Sequence, residues 1–251
     1  MKHDHMQHDI AESFDFILSI PFFLACLVYW LAGTRSSRKY RKWSLYRTVC
    51  WVLGTFCTAA AVIGPLAKYA HLNFMGHMLV HILLGMLAPI FLIFSAPMTL
   101  FLRTISITSA RNFGRLLRSW PLRLLTDPLV AALLNSGGLW VLYTTDLFQI
   151  MSTNFFVFFL VHLHIFLAGY LFTSSIIYVD LNPHRAGFIY RGTVLLISMA
   201  AHGILSKSLY ANPPGDTLQT QAENGGVLMF YAGDVVHAVV IFLFCRQWYK
   251  T

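Results

Sequence analysis

Two histidines lie four residues apart inside a long apolar stretch, in the run His77-Met78-Leu79-Val80-His81. At this spacing, two imidazoles fall on the same face of a helix. The stretch is long enough to cross a bilayer, where ionisable side chains are rare and are functional candidates by default. Imidazole is the commonest metal ligand in proteins, and a methionine thioether shifts the choice of metal towards copper(I). The pattern therefore predicts a metal site inside a membrane-spanning bundle.

Further ionisable side chains lie in three other apolar stretches and extend the candidate site. The metal-binding candidates are His77, His81, His162, His164, His202, His237, Asp234 and Met78. Because His162 and His164 are two residues apart, only one of them faces the common centre. Periodicity leaves that choice open, with Gly169 and Ser175 slightly favouring His164. Asp234 would bind the metal itself or accept the second ring N–H of a ligand histidine.

The N-terminal segment is a second metal candidate, because it carries His3, His5 and His8. A free N-terminal amine followed by histidine at position three can hold copper(II) or nickel(II) in a square-planar set of nitrogens. A histidine-rich segment is only a compositional indication of metal binding, so the alternative is a polar tail that binds no metal. We expect residues 1–12 to form an extracytoplasmic tail and residues 13–251 a single transmembrane domain.

The composition is that of a polytopic membrane protein. Of the 251 residues, 57% are hydrophobic and only 11% are charged, whereas a soluble domain carries about 25% charged residues. The net charge of +8 does not indicate nucleic-acid binding, because the basic residues are concentrated in loops. None of the four cysteines forms a CxxC pair, which favours small buried hydrophobic residues over a thiolate metal site.

Windows of about 20 apolar residues predict seven transmembrane helices in an all-α bundle. Their approximate bounds are Phe14–Gly33, Val49–Ala67, Asn73–Leu102, Pro128–Thr144, Asn154–Val179, Gly192–Tyr210 and Gly225–Phe244. The third contains Pro89 and Pro97, which predict a kink or an early end near Pro89. The fourth is short and is weakened by Gly137 and Gly138, so it is the least secure. The large loop 103–126 is expected to contain an amphipathic helix on the membrane surface.

The distribution of basic residues predicts the orientation of the bundle. All lysines and arginines fall in the loops after spans one, three and five or in the C-terminal tail, except Lys2, Lys68 and Lys207. The positive-inside rule then places the N-terminus outside and the C-terminus inside a bacterial plasma membrane. The basic loops are expected to meet anionic lipid as well.

With this orientation, the polar side chains of four spans converge at one depth. At about 1.5 Å of rise per residue, the histidines of these spans and Asp234 lie roughly 6–18 Å below the outer surface. The inner half of the predicted membrane carries no histidine. This convergence favours one shared site over independent helix–helix hydrogen bonds.

The run from His77 to Pro97, HMLVHILLGMLAPIFLIFSAP, resembles the signature of the multispan CtaG family of cytochrome c oxidase assembly factors. The resemblance implies a role in oxidase maturation and points to copper handling. An apo cytochrome c oxidase subunit or another copper carrier would be the partner. His77 and His81 match the two histidines of the family signature directly. Family members often have a histidine shortly after the tryptophan of span four, whereas this chain has Tyr143 there, which puts a ligand at that position in doubt.

We therefore expect a copper-handling assembly factor without enzymatic turnover. The alternatives are a b-type cytochrome, with haem b bound by histidines of facing helices, and a membrane-embedded hydrolase using zinc-activated water. No HExxH motif, nucleophile elbow or phosphate loop is present. The oligomeric state is open, with a homodimer as one option.

Overall fold

A computed structural model describes the backbone of residues 2–249 and the side chains of residues 15–249. Within this range the regular elements are helices and none is a strand, so the all-α prediction is confirmed. His3, His5 and His8 lie outside the described side chains, and the copper site in the tail stays a prediction.

The helices follow one another with short connections. In chain order they are α1 Lys2–Lys39, α2 Leu45–Val62, α3 Pro65–Leu72, α4 Phe74–Phe94, α5 Pro97–Thr104, α6 Ile107–Leu117, α7 Trp120–Leu125, α8 Pro128–Thr144, α9 Leu147–Thr153, α10 Phe155–Ile176, α11 Phe188–Ala211 and α12 Gln219–Tyr249. Two of them contain a π-helical segment, Leu83–Leu87 in α4 and Leu133–Gly137 in α8. The helices α6 and α7 occupy the loop in which the sequence predicted an amphipathic helix.

Six of the described helices are long and apolar enough to cross a membrane: α1 from Asp15, α2, α4, α10, α11 and α12. The chain is therefore a multi-pass membrane protein, as its composition predicts. The helix α8 has the bounds expected for the fourth span, but it is shorter than the other six. The count of seven spans and the orientation stay predictions.

The third predicted span is too long at its C-terminal end. It was expected to reach Leu102, but α4 ends at Phe94, and Ala96 adopts a left-handed conformation with φ of 52° before Pro97 begins α5. The Asp180 carboxylate accepts hydrogen bonds from the backbone N–H groups of Met98 (2.7 Å) and Thr99 (2.9 Å). These bonds satisfy donors that every helix N-terminus leaves free. The chain therefore turns at this point.

Pro89 does not end α4, because the π-helical segment lies directly before it. At the end of this segment the N–H of Ala88 donates to the carbonyl of Leu83, five residues earlier. A wider turn relieves the crowding between a proline ring and the preceding turn. The distortion predicted near Pro89 is thus a π-helical turn inside a continuous helix.

The helices that carry the polar side chains pack around α4. The helix α12 lies along both α4 and α11, and α10 lies against the π-helical segment of α4. A Cβ added at Gly169 of α10 would collide with the backbone carbonyl of Gly85 in that segment. The two backbones are therefore in direct contact, which fixes α10 against α4 one turn after His81.

Candidate metal centre

Three buried histidines from three helices meet in the centre of the bundle. His81 of α4, His202 of α11 and His237 of α12 are 2%, 6% and 5% exposed. The ring centroids of His81 and His202 are 6.0 Å apart, and those of His202 and His237 are 5.1 Å apart. His202 is the middle member of this group, which we call the inner trio.

Several ring nitrogens of the inner trio have no hydrogen-bond partner among the described residues. These atoms are Nδ1 and Nε2 of His81, Nε2 of His202 and Nδ1 of His237. An unsatisfied buried polar atom costs about 1–3 kcal/mol, so four of them in one place indicate a missing partner. Two imidazoles that share a metal ion at about 2 Å have ring centroids about 5–6.5 Å apart. Both centroid distances within the trio fall in this range.

Glycine makes room for the middle histidine. A Cβ added at Gly233 of α12 would lie 2.5 Å from Cε1 and 3.1 Å from Nδ1 of His202. Only a residue without a side chain permits this contact, since real Cβ atoms do not approach a heavy atom so closely. The side chain of His202 is thus held between α4 and α12 by close packing.

A second pair of histidines lies next to the inner trio. His77 is four residues before His81 on α4, and its ring centroid is 5.8 Å from that of His162 on α10. The Nε2 atom of His77 is 3.0 Å from the hydroxyl of Tyr143 on α8. The Nδ1 atom of His162 is 2.9 Å from the carbonyl oxygen of Phe158. We call His77 and His162 the outer pair, because they are nearer the N-terminal end of α4.

His162, not His164, faces the centre of the bundle, which corrects the slight preference for His164. His164 is exposed, and its Nε2 atom is 3.0 Å from the carbonyl oxygen of Leu134 in α8. The preference misjudged the helical geometry: Gly169 is seven residues from His162 and lies on nearly the same face, but it is five residues from His164. The buried residues Ile165 and Gly169 share the face of His162.

The sequence predicts Asp234 at the metal site, but the structure does not place its side chain in the inner trio. Its side chain is exposed, whereas His237, three residues later, is buried. In the described part of the chain no hydrogen bond joins this carboxylate to a histidine. The buried face of α12 runs through Met229, Gly233 and His237 at four-residue spacing, and Asp234 lies one residue beyond that line. The carboxylate still lies close enough to His237 for its charge to act on that imidazole, so its role as a ligand or as an orienting group stays a prediction.

Two methionines are fully buried in the apolar cluster beside these histidines. Met78 and Met229 are each 0% exposed and belong to the same cluster, whereas Met75 is 40% exposed. Met229 was not among the site residues predicted from the sequence, and the structure places it in the apolar core. At eight residues before His237 it lies about 12 Å from that histidine along α12, so the structure supports a packing role for it.

The histidines do not form a closed metal cage in this conformation. Within residues 15–249, no group of three or more His, Cys, Asp or Glu side chains is close enough to hold a metal ion together. The inner trio therefore consists of two neighbouring pairs that share His202.

Comparisons with known proteins agree with the resemblance seen in the sequence. Residues 27–251 match the family described as cytochrome c oxidase caa3 assembly factor (Caa3_CtaG). Among curated proteins, the chain is 24% identical to Uncharacterized protein ML1998 of Mycobacterium leprae, over 94% of this chain and 39% of that protein. It is 25% identical to Uncharacterized protein Mb0105 of Mycobacterium bovis, over 78% of this chain and 31% of that protein. The chain thus spans well under half of these relatives. No solved structure matches.

Proposed function

The chain belongs to the Caa3_CtaG family of cytochrome c oxidase assembly factors, and from this premise we propose that it binds copper at its buried histidines and delivers it to an oxidase subunit. The copper ion is the cargo of this process. The inner trio of His81, His202 and His237 is the storage site. The outer pair of His77 and His162 is the neighbouring site through which the ion passes.

The observation that carries the proposal is the set of unpartnered nitrogens in the inner trio. Neutral imidazole offers one free lone pair, and a buried lone pair without a donor or an ion is unfavourable. Both ring nitrogens of His81, the N–H and the one with the lone pair, lack a partner among the described residues. A copper(I) ion shared with His202 would satisfy one of them, and the separation of 6.0 Å between these ring centroids accommodates the ion.

The chemistry of the surroundings favours copper(I) over the other metal-containing groups. Haem would need a flat space beside its axial histidine, but His202 is packed directly on Gly233. A zinc site for activated water would need three protein ligands on one ion, and within residues 15–249 no three such side chains are close enough to share an ion. Met78 and Met229 belong to the buried apolar cluster on these helices, and burial in such surroundings costs a singly charged copper(I) ion less desolvation than a divalent ion.

Release of the cargo follows from the open arrangement of the ligands. Copper(I) bound by two imidazoles keeps free coordination positions, so an incoming ligand can bind before an old one leaves. His77 lies one helical turn from His81 on α4 and can take over the ion in this way. An apo-oxidase subunit or a second copper carrier would then accept the ion from the outer pair.

Metal analysis of the detergent-purified, untagged protein, together with its absorption spectrum, tests the proposal. We expect close to one copper per chain after loading with copper(I), without a haem absorption band. The variant His81→Ala should lose most of this copper. The matched control His164→Ala removes an exposed histidine of the same bundle and should retain it.

Thermal unfolding of both variants shows whether the bundle remains folded. Copper retained by a folded His81→Ala protein would refute the site. Haem in the purified protein would favour the cytochrome instead, and zinc alone would favour the hydrolase.

A further inference from the structure

A polar cavity of about 240 Å³ lies at the end of the bundle where α4 begins. It is lined by residues of α3, α4, α9 and α10 and of the connection into α12. Its size allows several water molecules, each needing about 30 Å³, but not a folded protein segment. We call this cavity the vestibule. The positive-inside rule places it on the outer side of the membrane.

The vestibule connects the exterior with the outer pair. His71 at the C-terminal end of α3 is exposed and lines the vestibule. His77 also lines it, although His77 is only 4% exposed. The ring of Phe158 lies between His71 and His162. Its centroid is 4.6 Å from that of His71 and 4.0 Å from that of His162. The exposed His71 and the buried His77 therefore both line the vestibule, and His162 contacts the ring of Phe158, which also lines it.

The remaining walls of the vestibule carry one methionine and one carboxylate. Met151 of α9 is 4% exposed and lines the vestibule, so its thioether is available inside but shielded from bulk water. Asp216 is the one acidic residue among the lining residues, and it brings a negative charge to the rim. The Asp216 carboxylate accepts a hydrogen bond of 2.8 Å from the side-chain amide of Gln149.

The rim is held in place from both sides. The bond between Gln149 and Asp216 ties α9 to the connection that precedes α12. On the opposite side, the backbone N–H of Phe74 donates to the side chain of Gln221 in α12 at 3.3 Å. Gly215 has a φ of +56°, a left-handed turn that glycine adopts without strain. The opening therefore belongs to the folded structure.

From this arrangement we infer that the vestibule is the entrance for copper(I), with His71 as the first ligand and His77 as the second. The inference rests on the proposed function, because it names the route to the same histidines. His71 captures the ion at the surface, where the negative charge of Asp216 raises the local concentration of cations. The ion then passes to His77 and His162 and finally to the inner trio.

The rate of copper loading tests this route separately from the capacity of the site. The protein in detergent is mixed with copper(I) held by a weak chromophoric chelator, and the loss of the chelator colour is followed in time. The variant Ser152→Trp fills the vestibule, because Ser152 is exposed and lines it. The matched control Thr153→Trp places the same ring on the next exposed residue, which is not among the lining residues.

We expect Ser152→Trp to slow loading at least tenfold while the final copper content stays that of the wild type. Thr153→Trp should load at the wild-type rate. His71→Ala, which fills no space, should slow loading several-fold and also leave the final content unchanged. Wild-type loading rates in both Ser152→Trp and His71→Ala would overturn the route and leave the proposed function intact. A wild-type protein that takes up no copper would overturn both.

Discussion

Gly233 offers a direct test of whether the position of His202 matters for copper. The variant Gly233→Ala places a methyl group where a Cβ would lie 2.5 Å from Cε1 of His202. A relaxed contact needs about 1 Å more, so the imidazole must move away from α12. Overpacking of this kind costs about 1–3 kcal/mol. If the strain is relieved by moving His202, copper affinity falls by a similar free energy, which corresponds to roughly 5- to 150-fold.

The matched control is Gly203→Ala, one residue from His202 on α11. A Cβ added at Gly203 would lie 3.6 Å from the ring of Phe230, an ordinary contact. This variant should bind copper like the wild type and gain up to about 1 kcal/mol of stability from helix propensity. Affinity is measured by competition with a copper(I) chelator, and stability by thermal unfolding. Equal copper affinities for Gly233→Ala and Gly203→Ala would refute the role assigned to His202.

Three further variants test the surrounding structure. Tyr143→Phe removes the hydroxyl that is hydrogen-bonded to Nε2 of His77. Because that bond contributes about 1 kcal/mol, copper should bind His77 up to about fivefold more tightly. The same competition assay measures this change. Gly169→Ala pushes α10 off the carbonyl of Gly85 and should lower the unfolding temperature, with unchanged thermal stability as the contrary result. Asp180→Ala removes the cap of α5 and should cost about 1 kcal/mol without altering copper content.

The sequence predicted the helices of this bundle well where hydropathy alone decides them. The bounds of α8, Pro128–Thr144, agree with the predicted fourth span. The C-terminal end of α4 was misplaced by eight residues, because apolar side chains continue past Phe94. The turn there depends on the left-handed Ala96 and on Asp180, which is distant in the sequence. A hydropathy window does not detect such a long-range cap.

The candidate site was predicted in part. Depth along the spans placed His81, His202 and His237 at similar levels, because helical rise is regular, and their rings are neighbours in the structure; metal binding by them stays a prediction. Which side of each helix is buried was harder to predict. The structure places His162 inside and His164 outside, and it leaves Asp234 exposed. These outcomes depend on helix rotation, which close contacts such as that between Gly85 and Gly169 determine.

X-ray absorption spectroscopy of the copper-loaded protein tests most directly whether the inner trio holds the ion. We predict a first shell of two or three nitrogens at about 2 Å, with the outer scattering typical of imidazole. His81→Ala should abolish this signal, whereas His164→Ala should retain it. A first shell dominated by sulfur at about 2.3 Å would place the ion at Met78 and Met229 and contradict the account, as would the same nitrogen shell in the His81→Ala protein.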